Sequence, residues 1–331
     1  MKKALVTRKA QNPVIALEKA QQAAAAYARN SRSPATWRAY ESDWNIFRAW
    51  SQSIGQSALP ATSTTVALFL AAEAQAGRAP ATLDRRLAAI RLMHVGAKLP
   101  SPHDAIEVAE VMSGIRRAWQ KPPAQKAPAV DDQIQRLVDA VEPQTLKGLR
   151  DRALLLLGFA GAFRRSELVA LDVAQLTRVP DEGLSVQIPR SKADQEGSGQ
   201  LVAIAHVENS PYCPVQAVYD WLVAADISSG AVFLRMYRGD VVGTDRMTSQ
   251  SVALIIKDLA LKVGLDPIRY AGHSLRSGFA TSAARNRANI FKIAAQTRHK
   301  KLDTLRAYVR DAELFEDHAA AGMLQPNARR R

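Results

Sequence analysis

The sequence predicts a mainly α-helical protein of two domains, with a small antiparallel β-sheet in the second. Three observations carry this. Trp37, Tyr40, Trp44, Phe47 and Trp50 recur at three- and four-residue spacing, which lines them along one helical stripe. Between Gln120 and Pro128 the chain has three prolines and no apolar period, as an extended linker does. Further on, two short strand-like runs, Leu184–Ile188 and Leu201–Ile204, flank a polar loop rich in Gly, Ser, Asp and Lys.

Taken in order, residues 1–30 mix charges with the small, helix-prone stretch Gln21 to Ala28, and no strong start signal precedes it, so a loosely attached N-terminal arm is expected. Ser33 before Pro34 is a good cap and first-turn pair, and it opens the core-facing helix of the aromatic stripe. Helical patterns follow at Thr64–Gln75, Ala81–Val95 and His103–Trp119, separated by Gly77-Arg78-Ala79-Pro80 and by Lys98 to Pro102. Residues 31–121 therefore read as an all-helical domain, 122–129 as a linker and 130–331 as a second domain.

The second domain opens with Asp131 or Asp132 as a helix cap and continues to a buried helix over Leu149–Gly158. A β-hairpin accounts for the two strand-like runs. Helices return at Pro214–Ala224, Ser249–Val263, Ser274–Arg285, Ile290–Thr297 and Leu302–Val309. The segment Ala312–Met323 is helical and amphipathic, with Leu314, Phe315, Ala319 and Met323 on one side.

Charge narrows the function. Lys plus Arg number 45 against 31 Asp plus Glu, a formal +14 over 331 residues, and this balance favours a polyanionic partner. The longest apolar run, Ala153 to Phe163, is far short of the ~20 residues a membrane span requires, so a soluble cytoplasmic protein is expected. The single cysteine, Cys213, has no intramolecular partner and reads as a buried thiol in a reducing compartment. The sequence has no Cys/His metal spacing, no phosphate-cradling Gly-x-x-x-x-Gly-Lys-Ser/Thr loop and no paired-carboxylate box, so neither a metal nor another cofactor is expected.

Four segments place polar groups where a helical core prefers apolar ones. Gly161-Ala162-Phe163-Arg164-Arg165-Ser166-Glu167-Leu168 follows the buried helix. There Glu167, three residues after Arg164 and just inside a helix capped by Arg165 or Ser166, is placed to hold its guanidinium. Lys192 lies in the hairpin loop. In Ala271-Gly272-His273-Ser274-Leu275-Arg276, His273 and Arg276 point the same way at a helix start, where imidazole, guanidinium and helix dipole all favour an anion. Finally, His299 precedes Tyr308 by nine residues. Each segment alone has a bland reading: a surface ion pair, a solvated lysine, a capped core histidine, a core tyrosine.

The order Arg164, Lys192, His273-x-x-Arg276, His299, Tyr308 resembles the tyrosine recombinases, the phage integrase family, in a Cre-like two-domain arrangement. The similarity spans residues 33 to about 311. Ala162 to Leu168 resembles the family's first arginine box and Tyr270 to Arg276 its second. The chain departs from the pattern at Arg298, where Gly is frequent, and at Phe163 and Arg165, where aliphatic residues are usual. The first departure bears on the turn at His299, the second on packing beneath Arg164.

The resemblance implies a core-binding (SAM-like) first domain, a catalytic second domain, and site-specific cleavage and rejoining of double-stranded DNA through a 3′-phosphotyrosyl intermediate and a Holliday junction. Tyr308 would be the nucleophile and Arg164 and Arg276 a clamp on the non-bridging oxygens. Lys192 would be the general acid for the 5′-oxygen, with His273 assisting proton transfer and His299 bonding the phosphate. DNA contacts are expected from Thr36 and Arg38 on the first helix, from Thr82, Arg85 and Arg86 on the exposed face of the Ala81–Val95 helix, and from Ser249 and Gln250. The 312–323 helix would dock on a neighbour in a homo-tetramer spanning two DNA sites, or pack on its own domain. The competing expectations are a type IB topoisomerase-like enzyme and a non-cleaving DNA-binding protein of the same fold.

Overall fold

A computed structural model describes residues 13–120, 126–188 and 199–299, with Leu302 and Leu305. The chain divides into two compact units, parting between Pro123 and Ala124.

In the first unit, helix α1 (Pro13–Asn30) occupies much of the stretch expected as a loosely attached arm. Its Gln21–Ala28 segment is rich in alanine, the best helix former, and supplies the helix with little burial: from Leu17 to Ala28 only Ala26 is better than exposed. Helix α2 (Pro34–Ser53) starts as its sequence indicates, Ser33 accepting from the Thr36 N–H with Pro34 in the first turn. Helices α3 (Ser63–Gln75) and α4 (Pro80–Gly96) follow the expected pattern. The fourth pattern begins later than expected. His103 sits in a short 3₁₀ turn, Ala105 is extended, and helix α5 runs Ile106–Ala118.

Trp44 and Phe47 of α2, Phe69 and Leu70 of α3, Leu83 and Ile90 of α4 and Met112 of α5 form this unit's core. The Phe47 and Phe69 rings meet edge-on at 5.0 Å. His94 is fully buried and structural. The Ala61 N–H donates to its Nε2 at 2.9 Å, which leaves Nδ1–H to donate to the Ile90 carbonyl at 2.8 Å.

The second unit is built on helix α7 (Leu146–Ala160), packed against α6 (Asp131–Asp139), α9 (Pro214–Ala224) and α11 (Ser274–Arg285). The cap of α6 is Val130, and Asp131 and Asp132 lie in its first turn, where their charge suits the helix dipole. Asp131 does not cap but braces. Its N–H donates to Ser282 Oγ, and that hydroxyl donates back to the Asp131 carboxylate.

More strand is present than the sequence reading allowed. The expected hairpin, β2 (Gly183–Ile188) and β3 (Gln200–Ala205), gains a third antiparallel strand β1 (Leu176–Val179), in the order β1-β2-β3. A separate hairpin, β4 (Leu234–Tyr237) and β5 (Val241–Arg246), stands apart from it. These added strands are short and largely exposed, so their residues carry no clean alternation to read. Helices α8 (Arg165–Ala170), α10 (Ser249–Lys262) and α12 (Ile290–Thr297) complete the unit. Cys213 is buried at the start of α9, where its sulfur accepts from the Val207 and Gln216 N–H groups.

Two glycines set how α11 seats. A Cβ on Gly278 would stand 1.9 Å from the Ala129 carbonyl oxygen, and one on Gly158 of α7 would stand 2.7 Å from Leu275 Cδ1. Ser274 O accepts from the Ala129 N–H at 2.9 Å, pinning the start of α11 to the segment before α6. Among the described residues no helix is long and apolar enough to cross a membrane.

Candidate active site

The site forms where the end of α7, the start of α8, the start of α11 and the end of α12 meet. After α7 the chain turns through Gly161 and Ala162, the latter in the left-handed region at φ 45°. A side chain on Gly161 would overlap the Phe163 ring, whose Cε2 would lie 2.0 Å from the added atom. This turn aims the Ala162 carbonyl inward and delivers Arg164 to the rim, as the N-cap of α8 rather than the Arg165 or Ser166 expected.

Glu167 is buried and holds Arg164 twice. Its Oε2 accepts from the Arg164 backbone N–H at 2.9 Å, and its Oε1 pairs with the Arg164 guanidinium. Burial by itself would raise the Glu167 carboxyl, but Arg298 and the Arg164 backbone and side chain outweigh it and hold it below the usual carboxylate range.

Arg276 comes from the first turn of α11 and is 1% exposed. Its Nη1 donates to the Ala162 carbonyl at 2.9 Å, which fixes the plane of the guanidinium. His273, the residue before α11, remains open to solvent at the surface, yet enough protein surrounds it that desolvation, followed by Arg276 and Arg164, lowers its pKa.

His299 is partly buried and is pushed down to about 4, by desolvation first and then by Arg276, Arg164, His273 and Arg298. Hydrogen bonds bring the segments that carry these groups, 135 positions apart at the extremes, together: Arg276 bonds the Ala162 carbonyl, Gln296 the Ala160 carbonyl and Arg298 the Glu167 carboxylate, in keeping with both histidines being lowered by both arginines. Thr297, fully buried, sets the His299 ring. Its Oγ1 lies 2.6 Å from the Ile293 carbonyl and 2.8 Å from His299 Nδ1. One hydroxyl proton serves both contacts only if it goes to the carbonyl and Nδ1–H donates to the oxygen. The neutral ring then presents a bare Nε2.

Gln296 adds a brace to the hairpin, its Nε2 donating to the Ala160 carbonyl at 2.8 Å and to that of Ala203 in β3 at 2.9 Å. The sequence reading gave no role in the site to Gln296 or Thr297, and it treated Arg298 only as a departure from the family pattern. Arg298 is a buried member of the site with a left-handed backbone at φ 55°. A polar run closing an amphipathic helix just before His299 was the available signal. Lys192 and Tyr308, and with them the 302–309 and 312–323 helical patterns apart from Leu302 and Leu305, lie outside the described residues.

Among the residues expected to meet DNA, Arg38 and Gln250 are exposed, and Thr36, Thr82 and Ser249 are half-buried. The Thr36 hydroxyl is engaged with Ser33 Oγ at 2.9 Å. Arg85 keeps half its side chain in water while gripping Asp43 through Nε at 2.6 Å. Arg86 corrects the expectation. It is 5% exposed, pairs with Glu73 and approaches Asp43, so it belongs to the interior of this unit and not to an exposed face. The helical period brings Arg85 and Arg86 to adjacent faces, and α4 packs the second of them against α2 and α3.

A groove of about 560 Å³ between the start of α7 and the β4–β5 hairpin, lined by Lys147, Arg235, Tyr237 and Asp240 among others, includes none of these site residues. Among the described residues no group of three or more His, Cys, Asp or Glu side chains is placed to hold a metal ion.

The chain is thus a helical unit followed by a helical unit with small antiparallel sheets, the second bringing two arginines and two histidines together. The chain belongs to the phage integrase family: residues 130–314 match the model described as the phage integrase family and residues 25–99 its N-terminal SAM-like domain. It is 37% identical over 292 residues to an integrase/recombinase xerD homolog of Selenomonas ruminantium, covering 87% of this chain and 85% of that one. With the tyrosine recombinase XerD of Listeria monocytogenes it shares 24% identity over 84% of this chain and 89% of the other.

Solved structures share the fold. XerH recombinase in a post-cleavage complex with its difH substrate superposes with a TM-score of 0.58 at 15% identity, covering 80% of this chain and 73% of that one. A lambda integrase dimer bound to a core site gives 0.58 at 14% identity, over 93% and 83%.

Proposed function

We propose that the protein recognises a specific site in double-stranded DNA, cleaves one strand with the Tyr308 hydroxyl and rejoins it to a partner duplex through a Holliday junction. The observation that carries this reading is the convergence of Arg164, Arg276, His273 and His299 in one pocket, each held by a buried partner or by its place at a helix end.

Phosphodiester transfer needs charge relief at the non-bridging oxygens. Two guanidiniums fixed before substrate arrives provide it, and preorganised donors of this kind are each worth ~3 kcal/mol in the transition state. Tyr308 attacks phosphorus to form a 3′-phosphotyrosyl bond and the 5′-oxygen leaves, taking a proton from Lys192. His273 assists the proton leaving the phenol. His299, with its low pKa and bare Nε2, hydrogen-bonds the phosphate only after taking up a proton, which the incoming anion favours.

In this reading residues 31–121 are the core-binding domain and 130–331 the catalytic domain, joined by 122–129, and Arg38, Arg85, Thr36, Thr82, Ser249 and Gln250 supply DNA contacts. The 312–323 helix docks on a neighbouring subunit to build a tetramer on two sites. The excess of basic residues, +14 formally, supports a nucleic-acid partner in the cytoplasm.

The test is covalent trapping. The protein is incubated with fragmented bacterial or mobile-element DNA carrying nicks, digested, and the attached DNA sequenced. Enrichment of one sequence on a peptide containing Tyr308, lost in Tyr308→Phe, is expected. Attachment at no residue would overturn the proposal. Relaxation of supercoils by a monomer without exchange between duplexes would replace it with a topoisomerase reading.

A further inference from the structure

We propose that Arg298 is a positioning residue of the cleavage centre, which fixes Glu167, and through it Arg164, while setting the neighbouring His299. The inference rests on the reading of Arg164 as a phosphate clamp.

Arg298 does not face substrate: its side chain is 2% exposed. Its Nη1 donates to the Gly161 carbonyl at 2.9 Å and the Gln296 carbonyl at 2.7 Å. Its Nη2 donates at 2.9 Å both to the Ala162 carbonyl and to Glu167 Oε2. The guanidinium carbon stands 5.1 Å from the centre of the Phe163 ring. Of the three residues that depart from the family pattern, Arg298, Phe163 and Arg165, the first two are therefore in contact.

This geometry assigns a role. Glu167 divides its oxygens, Oε1 to the Arg164 guanidinium and Oε2 to the Arg164 N–H and to Arg298. Without Arg298 one oxygen keeps only a backbone bond, and the carboxylate gains freedom to turn away from the clamp it holds. The Ala162 carbonyl takes a bond from Arg298 and another from Arg276. Thr297 on one side and His299 on the other place the ring at the end of the same turn.

The backbone supplies an independent argument. Arg298 sits at φ 55° and ψ 43°, where a β-carbon crowds the chain and glycine does not. An arginine kept at a position that suits glycine has its justification in the side chain. It is charge-matched as well: Glu167 faces it directly, while Arg164 opposes it and His299 feels its field.

The experiment uses the full chain and a nicked duplex bearing the sequence recovered by covalent trapping, with cleavage rate and DNA affinity measured separately for Arg298→Gly, Arg298→Lys, Glu167→Gln and the Glu167→Gln/Arg298→Gly double variant. Arg298→Gly is expected to slow cleavage about 30- to 100-fold, the scale of a misplaced catalytic group, with affinity within about threefold of wild type. Arg298→Lys restores little, because an ammonium does not supply the planar fork. The double variant cleaves no more slowly than the slower single variant, since both act through one carboxylate. The alkaline limb of the rate profile, where protonated His299 is lost, moves to higher pH in Arg298→Gly, because His299 has lost a neighbouring cation.

Cleavage by Arg298→Gly at the wild-type rate, equal losses in cleavage and affinity, or multiplicative effects in the double variant would each overturn the inference. If Arg298→Gly does not fold, Arg298→Met, which keeps the stem but offers Glu167 no donor, is measured in its place: folded protein that cleaves slowly supports the role, and a wild-type rate overturns it. A wild-type chain that attaches to no DNA removes the recombination reading itself, and is told apart because the fault then lies in the wild type.

Discussion

Arg276 Nη1 donates to the carbonyl oxygen of Ala162 at 2.9 Å, joining the start of α11 to the turn after α7 across 114 residues of sequence. The bond orients a guanidinium that is 1% exposed, and the acceptor is available because Ala162 adopts a left-handed backbone. The turn that presents Arg164 and the bond that aligns Arg276 are thus one local structure.

Arg276→Lys tests the clamp. Lysine keeps the charge but not the planar fork, so single-turnover cleavage is expected to fall by about 10²- to 10³-fold, the loss typical of one preorganised oxyanion donor. DNA affinity is expected to change far less. Cleavage by the variant within threefold of wild type would remove Arg276 from the transition state.

Acid lability follows from the histidines. Desolvation, Arg276 and Arg164 lower His273, and His299 falls to about 4 for the same causes and the added fields of His273 and Arg298. A base whose folded pKa lies below its unfolded value binds fewer protons folded than unfolded. Its neutral form is therefore favoured above the unfolded value near 6.5, and stability is lost as pH falls from there toward the folded value. Glu167, held low by Arg298 and Arg164 against its own burial, adds a second loss below the usual carboxylate range. Denaturant midpoints are expected to drop from pH 6.5 to pH 4, and His299→Gln to flatten part of that slope. A phosphate in the pocket reverses the direction for binding, since it raises both histidines and couples association to proton uptake. Calorimetry in buffers of different ionisation enthalpy reads this uptake.

Arg38 and Arg86 separate surface from interior. Arg38 is exposed on α2, and Arg38→Ala is expected to weaken DNA binding and lower the salt dependence by about one phosphate contact, with little change in unfolding. Arg86 is buried beside Glu73 and Asp43, and removing it leaves Glu73 with only the exposed Arg78 while Asp43 keeps Arg85, at a cost of about 3 kcal/mol in stability. Salt-dependent binding and denaturant unfolding on the same two variants check both. An Arg86→Ala protein of wild-type stability and altered salt slope would restore the surface assignment.

Sequence by itself determined the helices that carry strong caps or dense apolar periods. Helix α2 with its Ser33-Pro34 start and α9 from Pro214 begin where local chemistry places them, because caps and periodicity are properties of neighbouring residues. The order of Arg164, His273, Arg276 and His299 was legible for a different reason: it repeats a family pattern. Tertiary structure alone decided what long-range contacts govern. The short strands β1, β4 and β5 exist through pairing, not alternation. Arg86 went inside because α4 packs that face against α2 and α3. Arg298 became a buried brace because carbonyls from residues 161 and 162 and a carboxylate from residue 167 converge on it. A charged side chain enters an interior only where partners from distant segments meet it, and a linear sequence does not record that meeting.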